Sequence, residues 1–209
     1  MTTTLYLVRH GATAYNLEKP PRLQGRGLDT ALAPVGVRQA ELTRDFLAIC
    51  PVDHCYTSPL ERAVQTASII AAPHRLTPQV VLQLTECDVC AWEGLSWEEI
   101  AARFPNEYRQ FMDNPAQFGY LGGESFADVY HRARQAIDEL LLRHEGEKLL
   151  VVAHHVVNRT YLAGVMGLGP EQARRVSLEN CGVSVVMRDA EGIAVKTLNS
   201  HFHVLGAAA

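Results

Sequence analysis

Short unbroken apolar runs alternate along the chain with stretches whose apolar positions recur every three or four residues. Residues 5–8, Leu-Tyr-Leu-Val, carry no charge and are rich in strand formers, so they predict a strand buried on both faces, as in a parallel sheet. Residues 148–153 predict a second such strand. Residues 52–56 and 79–84 are candidates for two more, and 183–187 with 193–198 predict a hairpin-like pair around Asp189-Ala190-Glu191-Gly192. Helical periodicity fills the intervals. Pro34 opens a helix whose broken apolar face is Val37, Ala40 and Leu47, and Pro51 ends it. In Ser58-Pro59-Leu60-Glu61, Ser58 can cap, Pro59 fits the first helical position and Glu61 completes a capping box. That helix should run to about Ala72. Ser96-Trp97-Glu98-Glu99 offers another box, closed by Pro105. Ser125 opens the best amphipathic helix, with Phe126, Val129, Tyr130, Ala133, Ile137, Leu140 and Leu141 on one face. A last helix spans about 156–166. Strands alternating with helices predict a doubly wound α/β sheet.

Such sheets bind ligands at the carboxyl ends of their strands. The first strand stops at Arg9-His10-Gly11, and the one at 148–153 stops at His154-His155. Glu86 follows the 79–84 segment, and Arg62 lies in the first turn of the helix after 52–56. The long loop 11–33 adds Asn16, Arg22, Gln24 and Arg26, all able to donate hydrogen bonds to an anion. Two imidazoles, two guanidiniums and a carboxylate on one edge suit phosphoryl transfer. The guanidinium forks match phosphate oxygens. A neutral imidazole attacks phosphorus without first losing a proton, a second, charged imidazole holds an oxygen, and a carboxylic acid protonates the leaving alcohol. A metal site fits less well, because adjacent His154 and His155 diverge and the guanidiniums repel a cation. Cys87-Asp88-Val89-Cys90 has no second pair and reads as packing cysteines.

Composition narrows the partners. A net charge of -4 gives no support for non-specific nucleic-acid binding. No apolar run approaches the roughly 18 to 20 residues that span a bilayer, and no secretory signal is evident. Five scattered cysteines fit reduced thiols in a cytoplasm. The length suggests one domain, over 1–205, with a small helical cap near 96–123 and a disordered tail at 206–209. A homodimer through an edge strand is an expectation by analogy only.

Arg9-His10-Gly11-Ala12-Thr13-Ala14-Tyr15-Asn16 resembles the Arg-His-Gly-x-Thr/Ser-x-x-Asn opening of the histidine phosphatase, or phosphoglycerate-mutase-like, superfamily. In family order follow Leu23-Gln24-Gly25, then Ser58-Pro59-Leu60-Glu61-Arg62-Ala63-Val64-Gln65-Thr66-Ala67. Glu86 with Trp92-Glu93-Gly94, then Gly123-Glu124-Ser125, Arg132 and His154 complete the series. The resemblance implies a three-layer α/β/α fold whose mostly parallel sheet has one antiparallel strand. It implies His10 as nucleophile, Arg9, Arg62 and His154 around the phosphate, and Glu86 as proton donor. Asn16, Gln24, Gly25 and His155 would add phosphate contacts, with no metal or organic cofactor. The expected activity is hydrolysis of a small phosphorylated metabolite. A phosphoglycerate-mutase-type transfer and a non-catalytic phospho-ligand binder are the alternatives. His155 and Cys90 stand where the family commonly has glycine. Arg159 resembles an arginine of fructose-2,6-bisphosphatases, but Gly122 replaces the lysine such enzymes tend to carry. Arg103, Tyr108, Arg109 and Tyr120 are candidates for the leaving-group side.

Overall fold

The computed structural model describes residues 1–208. In chain order its elements are β1 (Thr3–Arg9), α1 (Ala14–Leu17), α2 (Pro34–Leu47), β2 (His54–Thr57), α3 (Glu61–Ala71), β3 (Gln79–Val80), α4 (Trp97–Arg103), α5 (Pro105–Asp113), α6 (Phe126–Arg143), β4 (Lys148–Ala153), α7 (His155–Val165), β5 (Val183–Asp189) and β6 (Gly192–Ser200). The strands form one six-stranded sheet in the order β3-β2-β4-β1-β5-β6. The pairings from β3 across to β1 are parallel; β5 is antiparallel to both β1 and β6, so β5 alone runs against the rest.

Alternation along the two central strands builds both faces. Leu5 and Leu7 of β1, with Leu149, Val151 and Ala153 of β4, pack under α6 and α7. Val8, Leu150 and Val152 point the other way, against Ala63, Ala67 and Ile70 of α3 and Leu47 of α2. The first core continues into an aromatic cluster beneath the helical insertion, where Trp92, Phe111, Tyr120 and Phe126 meet edge-on or tilted and Trp97 stacks on Phe111. The Ser96 and Ser125 capping boxes are both formed.

Four local expectations change. The 79–84 run is a strand only over Gln79–Val80; it lies at the sheet edge, and Leu82–Leu84 coil into a single 3-10 turn that carries Leu84 into the core. Helix α3 starts at Glu61 with Leu60 at its cap, so Ser58 is not the capping residue. On α2 it is Gly36, Ala40, Thr43 and Leu47 that are buried, while Val37 faces outward. The tail is not loose through 206–208: Phe202–Ala208 coil as a 3-10 segment against α2. There His203 stacks on Phe46 and meets the Thr43 hydroxyl, and Val204 joins Ala40 and Cys181. The remainder of the expected tail, Ala209, lies outside the described residues. No described helix is long and apolar enough to cross a membrane.

Candidate active site

Because β1 and β4 are parallel neighbours with Arg9 opposite Ala153, the next residues, His10 and His154, leave the sheet side by side. The His10 N–H donates to the Ala153 carbonyl at 3.0 Å, and the two imidazole centroids stand 5.1 Å apart. Gly11 makes the exit possible, since a Cβ there would sit 2.5 Å from the Gly36 carbonyl oxygen of α2. His10 itself is almost fully buried, and its Nδ1 lies 2.7 Å from the Gly11 carbonyl. A carbonyl only accepts, so Nδ1 carries the proton and Nε2 keeps its lone pair. Burial, then the charges of Arg62 and Arg9, hold the ring's pKa well below its ordinary value, so it is neutral at pH 7.

A cavity of about 480 Å³ opens over His10. Its lining brings together Arg9, His10, Asn16, Gln24, Glu86 and His155 from the sequence reading, together with Arg22, Trp97, Glu98, Tyr120, Arg159, Glu179 and Asn180. Arg62 and His154 lie behind His10, fully shut from solvent, and their charges and rings reach it from there. Gly25 is not on the lining. Its N–H donates to Glu93 and its carbonyl accepts from Arg62, so it braces the loop instead. Arg26 is likewise engaged elsewhere, with Asp88 at 2.6 Å. Of the four residues offered for the leaving-group side only Tyr120 lines the cavity; the Arg103 guanidinium rests over Phe104, and Tyr108 packs on Trp97.

The cationic side of the site holds buried donors with no internal partner. Arg9 places Nη1 on the Leu178 carbonyl, and Arg62 places Nη1 and Nη2 on those of Leu28 and Gly25, but the Nε of both arginines is unpaired. The Nδ1 of His154 is unpaired as well. Burial pulls Arg9 down to about 10, which leaves it charged at neutral pH. Burial and then Arg62 hold the His154 pKa well below its ordinary value, which favours the neutral ring. His155 is neutral for the same reason, chiefly burial and then Arg9.

Glu86 accepts the Cys87 N–H at 2.8 Å and the Val156 N–H at 3.4 Å. Burial raises its pKa against these two donors and against Arg62, so it holds a proton to higher pH than a surface carboxyl. Two residues quoted above only as motif letters keep it in place. Arg132 donates to the carbonyls of Gln83, Thr85 and Glu86 while its other edge pairs with Glu124 at 2.7 Å, and Glu124 accepts the Asp88 N–H. Cys90, standing for a common glycine, adopts φ 41° without displacing Glu86 from the cavity. Ser58 is a site neighbour that a local reading misses. Its Oγ accepts the Leu60 N–H at 3.3 Å and lies 2.6 Å from Nε2 of His154.

Comparison with known proteins agrees with this geometry. Residues 5–201 match the model of the histidine phosphatase superfamily, branch 1. A probable 2-carboxy-D-arabinitol-1-phosphatase of Arabidopsis thaliana is 36% identical over 185 residues, which cover 88% of this chain but only 38% of that protein. Phosphoserine phosphatase 1 of Hydrogenobacter thermophilus is 30% identical over 200 residues, covering 96% of this chain and 93% of that one. The solved structure of Bacillus stearothermophilus YhfR superposes with a TM-score of 0.89 at 30% identity, over 97% of this chain and 99% of that one. The chain belongs to the histidine phosphatase superfamily, branch 1.

Proposed function

We propose that the protein hydrolyses phosphate monoesters of small metabolites through a phosphohistidine at His10. The observation that carries this reading is the set of buried, unpartnered donors next to a neutral imidazole: Nε of Arg9, Nε of Arg62 and Nδ1 of His154. Buried polar atoms are nearly always paired, so orphans on three residues around His10 support the reading that an anion binds beside it. In the first step the Nε2 lone pair of His10 forms the N–P bond as the ester P–O bond breaks, and Glu86 gives its proton to the departing oxygen. In the second, the Glu86 carboxylate takes a proton from water, the hydroxide attacks phosphorus, the N–P bond breaks, and phosphate leaves a neutral His10. The guanidiniums stabilise charge on the phosphoryl oxygens in both steps. On the leaving-group side Arg159 lines the cavity beside Tyr120 and His155. That suits an acidic or hydroxylated leaving group, the kind that the names of the two phosphatase relatives specify.

Ser58 would set the tautomer of His154. Its hydroxyl donates to Nε2, which leaves the proton on Nδ1, the atom needing an acceptor. Ser58→Ala should lower kcat/KM about tenfold, the worth of one hydrogen bond of roughly 1 kcal/mol or slightly more. Ser58→Thr should restore it; equal loss in both would assign Ser58 to packing alone.

The reading as a whole is tested with p-nitrophenyl phosphate and rapid acid-free quenching. Turnover with an acid-labile, base-stable phosphoenzyme is expected, and EDTA should leave the rate unchanged, since a site ringed by guanidiniums repels a divalent ion. Failure to turn over any member of a broad phosphoester panel would end the proposal, as would a rate that depends on added metal.

A further inference from the structure

A second polar cluster lies at the opposite end of the sheet, and nothing in the catalytic reading uses it. His54 opens β2, His144 terminates α6, and Glu147 immediately precedes β4. The Nε2 of His54 and the Nδ1 of His144 lie 2.9 and 2.7 Å from the same Glu147 carboxylate oxygen. The two ring centroids stand 4.0 Å apart with the planes tilted by 36°, and the potential ligand atoms all fall within 4.8 Å of one another. We propose that these three side chains form a zinc site, open to water at its remaining position.

Several observations favour a metal over a plain ion pair. The donors are two imidazoles and one carboxylate, a set suited to zinc, whose ligand atoms stand roughly 3.4 Å apart in a tetrahedron with metal bonds near 2.1 Å. The imidazole nitrogens stand closer than that to Glu147, at hydrogen-bond distance, so binding an ion requires the carboxylate to withdraw and both nitrogens to give up the proton that faces it. The chelate is also braced. Gly146, at φ 86°, turns the chain between His144 and Glu147, and the Thr3 hydroxyl donates to the His144 carbonyl while accepting the Gly146 N–H. Tyr56 Oη lies 2.7 Å from Nε2 of His144. A phenol both donates and accepts, so it can follow His144 into the Nε2–H tautomer that frees Nδ1 for an ion. Side-chain exposures of 31% for His54, 12% for His144 and 45% for Glu147 leave an entry path. The nearby Arg143 pairs with Glu139 at 2.7 Å and also reaches the Tyr56 hydroxyl, so its charge stays at the rim of the cluster. Bound there, zinc would link β2, β4 and α6 far from His10, independently of the proposed hydrolysis.

The test is titration of the metal-stripped full chain with zinc chloride, followed by calorimetry and thermal unfolding. Cobalt(II) then serves as the spectroscopic probe. One zinc per chain with micromolar or tighter binding, a raised unfolding temperature and the visible absorption of tetrahedral cobalt are expected. His54→Ala and Glu147→Gln, which keeps the shape of the loop, should each weaken binding at least tenfold and leave p-nitrophenyl phosphate turnover unchanged. His10→Ala should bind zinc like the wild type. Absence of zinc binding by the wild type, binding that survives in both cluster variants, or binding lost with His10 would overturn the assignment.

Discussion

His10→Ala should reduce kcat/KM for p-nitrophenyl phosphate by at least about 10³-fold, because the only proposed nucleophile is gone and water must attack unaided. The loss should fall on kcat. Arg9 stays anchored through Leu178, Arg62 through Leu28 and Gly25, and His154 through Ser58, so the anion's donors survive the substitution. Affinity for inorganic phosphate should therefore persist, and no phosphoenzyme should form. The acid side of the wild-type profile has a matching signature. His10 is inactivated only when Nε2 is protonated, and its pKa lies well below the ordinary 6.5. The lone pair thus remains available through mildly acidic pH and is lost only below that lowered value. A variant that turns over like the wild type would remove His10 as nucleophile, whatever its neighbours do.

What the amino-acid order reveals here depends on the range of each interaction. The runs at 5–8 and 148–153 are legible because a strand buried on both faces has to be apolar throughout, and β1 and β4 are the neighbours that lie deepest. Capping at Ser96 and Ser125 is legible because the hydroxyl and its N–H partner lie three residues apart. The same local code misreads Ser58. Its hydroxyl is drawn to an imidazole 96 positions away, and the helix starts later. Gly25 is misread for a related reason. A motif places it beside the phosphate loop, but its N–H is taken by Glu93 from a distant turn. Residues 206–208 look featureless because alanine and glycine give no periodic signal, yet Ala207 is buried. Arg9, His10 and Glu86 are readable as chemistry, whereas the Arg132 clamp on the carbonyls of Gln83, Thr85 and Glu86 exists only once the turn after β3 has formed.

Arg62→Ala should cost at least about 100-fold in kcat/KM, the scale of one lost charge-stabilising contact in a dry site. The guanidinium is fully buried, and it does two things at once. Nη1 and Nη2 tie down the carbonyls of Leu28 and Gly25, while its charge acts on His10, His154 and Glu86. The pH profile separates the two. Arg62 lowers the pKa of His10, so its removal lets that pKa climb and moves the acid limb to higher pH. It also opposes the burial that raises Glu86, so without it the carboxyl holds its proton further still, and the alkaline limb of kcat/KM moves up as well. Both limbs should shift in the same direction. Arg62→Lys keeps the positive charge but loses the planar fork, so the rate should fall while the profile stays closer to that of the wild type. A profile unmoved in Arg62→Ala would mean that the guanidinium merely braces the loop, and near-wild-type kcat/KM would put it outside the reacting site altogether.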